Sequence, residues 1–323
     1  MTSPELIFLH IPKAAGTSQH RSFRQYYGPE NVFWIGEDCP GDVRRYPAKL
    51  VADRLLVGGH KPLSFYPSHF DPLFCAVLRD PVERAISLFS YYTQPGLARA
   101  EEGRIRRAAI LERMKKNGMD PDSMLNSIRR CRSFRHEISN MQCRYISESS
   151  ADFAKVRDSL ERHDFVLGTI GTYDAFHREL GNLLEWPDEQ PGALNRSKAN
   201  YASAYLADEE LVALVRELNE EDEKLLHYVT QQHAGLYINF RDRDARVERL
   251  SGLPLKPWMS RPSQADWEAT ARAFWPAREE KRLAWPLEQV VVSEPARLLY
   301  GAIPGPANTV VQRLMLGTSG VKH

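Results

Sequence analysis

Apolar residues along this chain follow two rhythms. Short unbroken runs of strand length occur at Leu6–Ile11, Val32–Ile35, Arg54–Gly59 (Leu55-Leu56-Val57), Leu73–Leu78 and Asp164–Ile170 (Phe165-Val166-Leu167). Apolar runs without polar alternation predict strands buried on both faces, as in a parallel sheet. Longer stretches show helical spacing instead. Ser18–Tyr27 carries Phe23, Tyr26 and Tyr27 and stops at Gly28-Pro29; Tyr173–Leu184 puts Phe176, Leu180, Leu183 and Leu184 on one side; Leu206–Tyr228 repeats the pattern around Leu211, Leu214, Val215, Leu218 and Leu225. Strands alternating with helices predict βαβ units and an α/β fold, a parallel sheet flanked by helices. Ligands of such sheets gather at the carboxyl ends of the strands.

Two strand ends carry candidate chemistry. The first strand breaks at Pro12 into Lys13-Ala14-Ala15-Gly16-Thr17-Ser18 and then a helix. A strand, a tight loop and a helix start aim unpaired N–H groups and a positive dipole end at one spot, which suits a phosphate or sulfate. Lys13 adds a point charge, Thr17 and Ser18 add hydroxyls, and Ala14, Ala15 and Gly16 are small enough for the backbone to wrap an anion. The lysine precedes the glycine, the reverse of the usual nucleotide loop. The plain alternative is a strand-to-helix turn with a surface lysine. The fourth strand runs into Arg79-Asp80-Pro81-Val82-Glu83-Arg84, where Asp80 predicts an N-cap, Pro81 the first helical position and Glu83 a capping box. Arg79 then sits at a strand end, and Ser87 lies about two turns along the helix. Here the plain alternative is a capped helix whose Arg79 pairs with Asp80 or Glu83.

The rest of the chain narrows the picture. Residues 99–135 form a basic run broken at Gly118 and Pro121, which predicts a solvated helical face or else a groove for an anionic acceptor. Beyond Phe240, clustered Pro and Trp predict an irregular appendage, giving domains at 1–240 and 241–323. A formal net charge of +1 gives no global pull towards nucleic acid or anionic lipid, so anion binding must be local. The first strand starts too early for a secretory leader, no run is apolar enough to span a bilayer, and the expected location is the cytoplasm. The four cysteines, Cys39, Cys75, Cys131 and Cys143, lack paired metal-ligand spacing and read as reduced structural thiols, with a Cys131–Cys143 bridge as the alternative. No metal site is expected.

Together these stretches resemble the sulfotransferases that use 3′-phosphoadenosine 5′-phosphosulfate (PAPS), in the branch containing heparan sulfate and uronyl 2-O-sulfotransferases and many bacterial relatives. The resemblance spans roughly residues 5–230 and rests on His10-Ile11-Pro12-Lys13 leading to Gly16-Thr17-Ser18, on Arg79–Arg84 with Ser87, and on Gly59-His60. It implies a P-loop-like core in which Lys13 and the 14–18 loop hold the 5′-phosphosulfate. It further implies that Arg79 and Ser87 hold the 3′-phosphate, that His60 is the catalytic base, and that Arg196, Ser197 and Lys198 close over the nucleotide. His10 is expected to be structural, with Glu37 or Asp38 as the reserve base.

Two departures stand out. Heparan 2-O-sulfotransferases carry a second histidine where this chain has Gly58, and position 14, often threonine in the family, is Ala14. The acceptor is a hydroxyl compound of open identity: carbohydrate, lipid head group, natural product or protein tyrosine. A homo-oligomer is neither required nor excluded. The rival readings are an ATP-dependent small-molecule kinase and a non-catalytic module that binds a nucleotide or sulfated glycan.

Overall fold

The computed structural model describes residues 3–28, 30–39, 43–51, 54–94, 101–148, 150–186 and 202–253, with the backbone alone at 49–50 and 101–106. Six strands form one sheet: β1 (Leu6–Leu9), β2 (Val32–Ile35), β3 (Leu56–Gly59), β4 (Leu73–Leu78), β5 (Asp164–Thr169) and β6 (Leu236–Asn239). Their spatial order is β2-β3-β1-β4-β5-β6, and every pairing is parallel except that of β6 on β5. The five strands read from the sequence are present, and together they make the parallel part of the sheet.

Both faces of the sheet are covered, which is why the strands are apolar throughout. On one face Phe8, Trp34, Cys75 and Val166 meet α1 (Gly16–Tyr27), α9 (Tyr173–Leu183) and α13 (Arg243–Ser251). On the other, Ile7, Phe74, Ala76 and Leu167 meet α7 (Met141–Ile146), α8 (Phe153–Arg162) and α12 (Glu220–His227). A third cluster lies among helices, where α3 (Pro81–Thr93) packs with α4 (Glu101–Lys116), α5 (Met124–Arg130), α6 (Arg132–Ile138) and α11 (Glu209–Glu217). The basic run is therefore only outwardly a solvated face: Ile110, Met114, Met124, Ile128 and Phe134 are buried beneath it. Of the two remaining helices, α2 (Ala48–Val51) precedes β3 and α10 (Ala202–Leu206) precedes α11.

The expected helix over Leu206–Tyr228 is divided. Asp208 accepts from the N–H of Leu211 and starts α11, and Asn219, in a non-helical conformation, separates α11 from α12. The packed core also continues past residue 240, because α13 is tied to the sheet by charge. Arg246, 2% exposed, donates from Nε to Asp164 at 2.7 Å, and Asp164 also accepts from the Arg241 N–H at 2.9 Å. The tail from residue 254 lies outside the described residues. All four cysteines are buried and free, so Cys131 and Cys143 are not bridged.

This ion pair predicts an acid dependence. Burial pushes the Asp164 carboxyl up, but the Arg241 N–H and the Arg246 and Arg241 side chains outweigh it and hold its pKa below the ordinary value. A depressed carboxylate stabilises the fold above its unfolded pKa and loses that contribution as pH falls through the folded value. Asp164→Asn should therefore be less stable than wild type near neutral pH. The difference should shrink below about pH 4, the ordinary carboxylate range, as measured by urea unfolding at several pH values.

Candidate functional site

Because β1 lies between β3 and β4, three chain segments emerge side by side at their carboxyl ends: the Lys13 loop after β1, His60 after β3 and Arg79 after β4. The loop is built with alternating handedness, Lys13 at φ 70° and Ala15 at φ 59° on either side of Ala14. Left-handed non-glycine residues cost on the order of 1–2 kcal/mol each, and alternation of this kind turns successive N–H groups towards one concavity. The first α1 donors with an acceptor are Ser18 and Gln19, both on the Ala15 carbonyl. The N–H groups of Gly16 and Thr17 precede them and have no acceptor among the described residues. Within the 14–18 loop expected to hold the anion, the Ser18 N–H is thus bonded to the loop itself.

The small residues have packing reasons as well. Ala14 is buried in the core on one side of the sheet, and Ala15 packs against the other. At Gly16 a β-carbon would stand 1.8 Å from Cδ2 of His10, so the glycine is what lets the His10 ring lie under the loop. Thr17 is exposed, while Ser18 is nearly buried, next to Tyr173.

Register brings two histidines together. Leu9 pairs with Gly59, so His10 and His60 are the next residues of adjacent strands, and their rings stack at 3.9 Å. His60 Nδ1 lies 2.8 Å from the His10 carbonyl. A carbonyl only accepts, so Nδ1 carries the proton and the neutral ring keeps its lone pair on Nε2. His60 is exposed, whereas His10 is buried. Burial, then His60, His20 and Lys13, hold the His10 pKa well below the ordinary value, which makes it a neutral packing residue. At Gly58 a β-carbon would meet the Trp34 ring at 2.1 Å, so the indole fills the place where a second histidine would project. Glu37 and Asp38 are engaged with Arg24, Asp38 through both oxygens, which leaves them poorly suited as bases.

Arg79 is held from three directions. Its Nη1 donates to the Lys13 carbonyl at 3.3 Å and its Nε to Glu83 at 3.2 Å, while its backbone is clamped by the buried Gln142 amide. That amide accepts from the Arg79 N–H at 2.8 Å and donates to the Arg79 carbonyl at 2.9 Å. Asp80 caps the helix through the Glu83 N–H as expected, but the Glu83 side chain turns to Arg79, so the capping box is half formed. Ser87 is nearly buried on α3. Arg196, Ser197 and Lys198 lie outside the described residues.

Lys13 is half-buried, with Nζ 4.6 Å from the centre of the Tyr91 ring. Burial, followed by repulsion from Arg107 and Arg79, lowers its pKa to about 8. Gln142, Tyr91 and Arg107 are absent from the sequence reading, since nothing local to their segments marks them. Among the described residues, no group of three or more His, Cys, Asp or Glu is arranged to hold a metal, and no helix is long and apolar enough to cross a membrane. No family model matches the chain, and no curated protein matches it.

Proposed function

We propose that this chain is a sulfotransferase that moves a sulfuryl group from PAPS to a hydroxyl acceptor on a P-loop-like core. The observation that carries the reading is the 3.3 Å contact from Arg79 to the Lys13 carbonyl. Two motifs that read separately as anion sites, 66 residues apart, meet at neighbouring strand ends, with His60 on the far side of β1. One ligand with anionic groups at two places suits that arrangement.

The residues fit such a donor in kind. When bound, PAPS supplies an activated sulfuryl group with a phosphate as leaving group. The N–H groups of Gly16 and Thr17 and the Lys13 ammonium hold the phosphosulfate, and Lys13 stabilises charge that builds on the leaving oxygen. Arg79, oriented by Gln142 and Glu83, takes the 3′-phosphate with Ser87, and ATP has no such group. His60 accepts the proton of the acceptor hydroxyl at Nε2.

Incubation with labelled PAPS and a panel of hydroxyl acceptors tests the activity. Transfer supports the reading, phosphate transfer from ATP and magnesium alone replaces it with a kinase, and ligand binding without turnover replaces it with a binding module. Arg79→Ala should weaken binding of the product nucleotide, adenosine 3′,5′-bisphosphate (PAP), by about 1.5–3 kcal/mol, the range of a lost charge-assisted bond. Calorimetry should show much less effect on AMP. Equal wild-type affinity for PAP and AMP would remove Arg79 from the 3′-phosphate.

A further inference from the structure

The cations near the Tyr91 ring are not paired with carboxylates as several other charges of this protein are. Arg24 faces Glu37 and Asp38, Arg246 faces Asp164, and Arg79 has Glu83. Lys13 and Arg107 have no carboxylate within ion-pair distance among the described residues. Both instead lie over Tyr91, the ammonium at 4.6 Å and the guanidinium carbon at 4.4 Å from the ring centre. An aromatic ring holds a cation in place without neutralising it. Arg107 belongs to the basic run, yet it is half-buried and directed inward, while Lys115 on the same helix pairs with Glu112.

We infer that Arg107 is a third cation of the anion site, delivered by α4 and steadied by Tyr91, and that with Lys13 and Arg79 it binds a ligand bearing two or more negative charges on linked phosphate or sulfate groups. Lys13 and Arg107, with no carboxylate at ion-pair distance among the described residues, repel each other, and a polyanion removes that repulsion. The Lys13 pKa is lowered first by burial and next by Arg107, ahead of Arg79. The other groups against Lys13 are Arg79 from the β4–α3 junction, which donates to its carbonyl, Tyr91 from α3, and His10, the residue after β1. The identity of the natural ligand as PAPS rests on the reading above, but the three-cation site does not.

The test is calorimetric titration of the full chain with PAP and, separately, with inorganic pyrophosphate from mildly acidic to alkaline pH. Wild type should lose affinity as pH rises through about 8, where Lys13 discharges. Arg107→Ala should bind both probes on the order of tenfold or more weakly. The pH at which its affinity falls should move upward, because Lys13 is freed of a repulsion. Arg107→Lys should keep the wild-type pH profile. Loss of packing alone would lower affinity without moving that profile. Unchanged affinity and an unchanged profile in Arg107→Ala overturn the inference. Pyrophosphate binding that depends on Arg107, without PAP binding, upholds the inference and sinks the PAPS reading. If wild type binds neither probe, both fall.

Discussion

His60→Ala is expected to lower sulfuryl transfer by about 10²–10⁴-fold, the usual contribution of a positioned general base, while PAP affinity stays at the wild-type level. An alcohol attacks poorly until its proton is taken, and the candidate for that work is the ring at the end of β3, whose tautomer is set by its surroundings. The His10 carbonyl holds the Nδ1 proton, so the basic lone pair belongs to Nε2 on an exposed ring. Truncation also removes a ring stacked on His10, and a shift of His10 could disturb the loop over Gly16. His60→Asn separates the two effects, because an amide N–H can still donate to the His10 carbonyl but cannot take a proton from an alcohol. Both variants should bind PAP and fail to transfer. Wild-type turnover in His60→Asn would take His60 out of the chemistry.

What could be read from the sequence was local, and what could not was tertiary. The parallel strands were legible because a strand covered on both faces has no polar alternation, as in Leu73–Leu78. The antiparallel strand β6 was missed: Leu236–Asn239 is only partly buried and makes no long apolar run, and the four α-helices α9 to α12 lie between it and its partner β5. Lys13, Arg79 and His60 stood out because each lies where a strand ends. Their adjacency follows from strand order, with β1 between β3 and β4, which no spacing along the chain encodes. Gln142, Tyr91 and Arg107 have no such marker. Gln142 bonds Arg79 from 63 residues away, and Arg107 looks like every other base of its run until the fold turns it onto Tyr91. Gly16 was legible as a residue, but its packing reason was not, since its missing β-carbon makes room for the His10 ring of another segment.

The largest stability effect is expected at Asp222, which links the fold to the site. It is fully buried on α12, and its two oxygens accept the N–H groups of Gln142 at 3.0 Å and Cys143 at 2.8 Å. Arg84, also fully buried, donates to the Ile138 carbonyl at 2.7 Å, and Asp222 is the charge that favours its ionised form most. Burial raises the Asp222 pKa and lowers that of Arg84, so each partner pays more in lost hydration than the other returns. Removing the Asp222 side chain leaves the buried N–H groups of Gln142 and Cys143 without their acceptor and takes away the charge that most favours ionised Arg84, at about 2–5 kcal/mol together. Asp222→Ala should lose that much in urea unfolding. It should also weaken PAP binding, because Gln142 loses its own anchor and with it the two-point hold on the Arg79 backbone. Asp222→Asn keeps one acceptor and should fall between. A raised folded pKa means that the Asp222 contribution is greatest below the unfolded value, about 4, and declines as pH rises through the folded one. The stability gap between wild type and Asp222→Asn should therefore narrow with rising pH, opposite to the trend at Asp164. A gap that widens would mean that Asp222 is held as a carboxylate by Arg84 more strongly than burial opposes it. Wild-type PAP affinity in a folded Asp222→Ala would show that Gln142 positions Arg79 without help from α12.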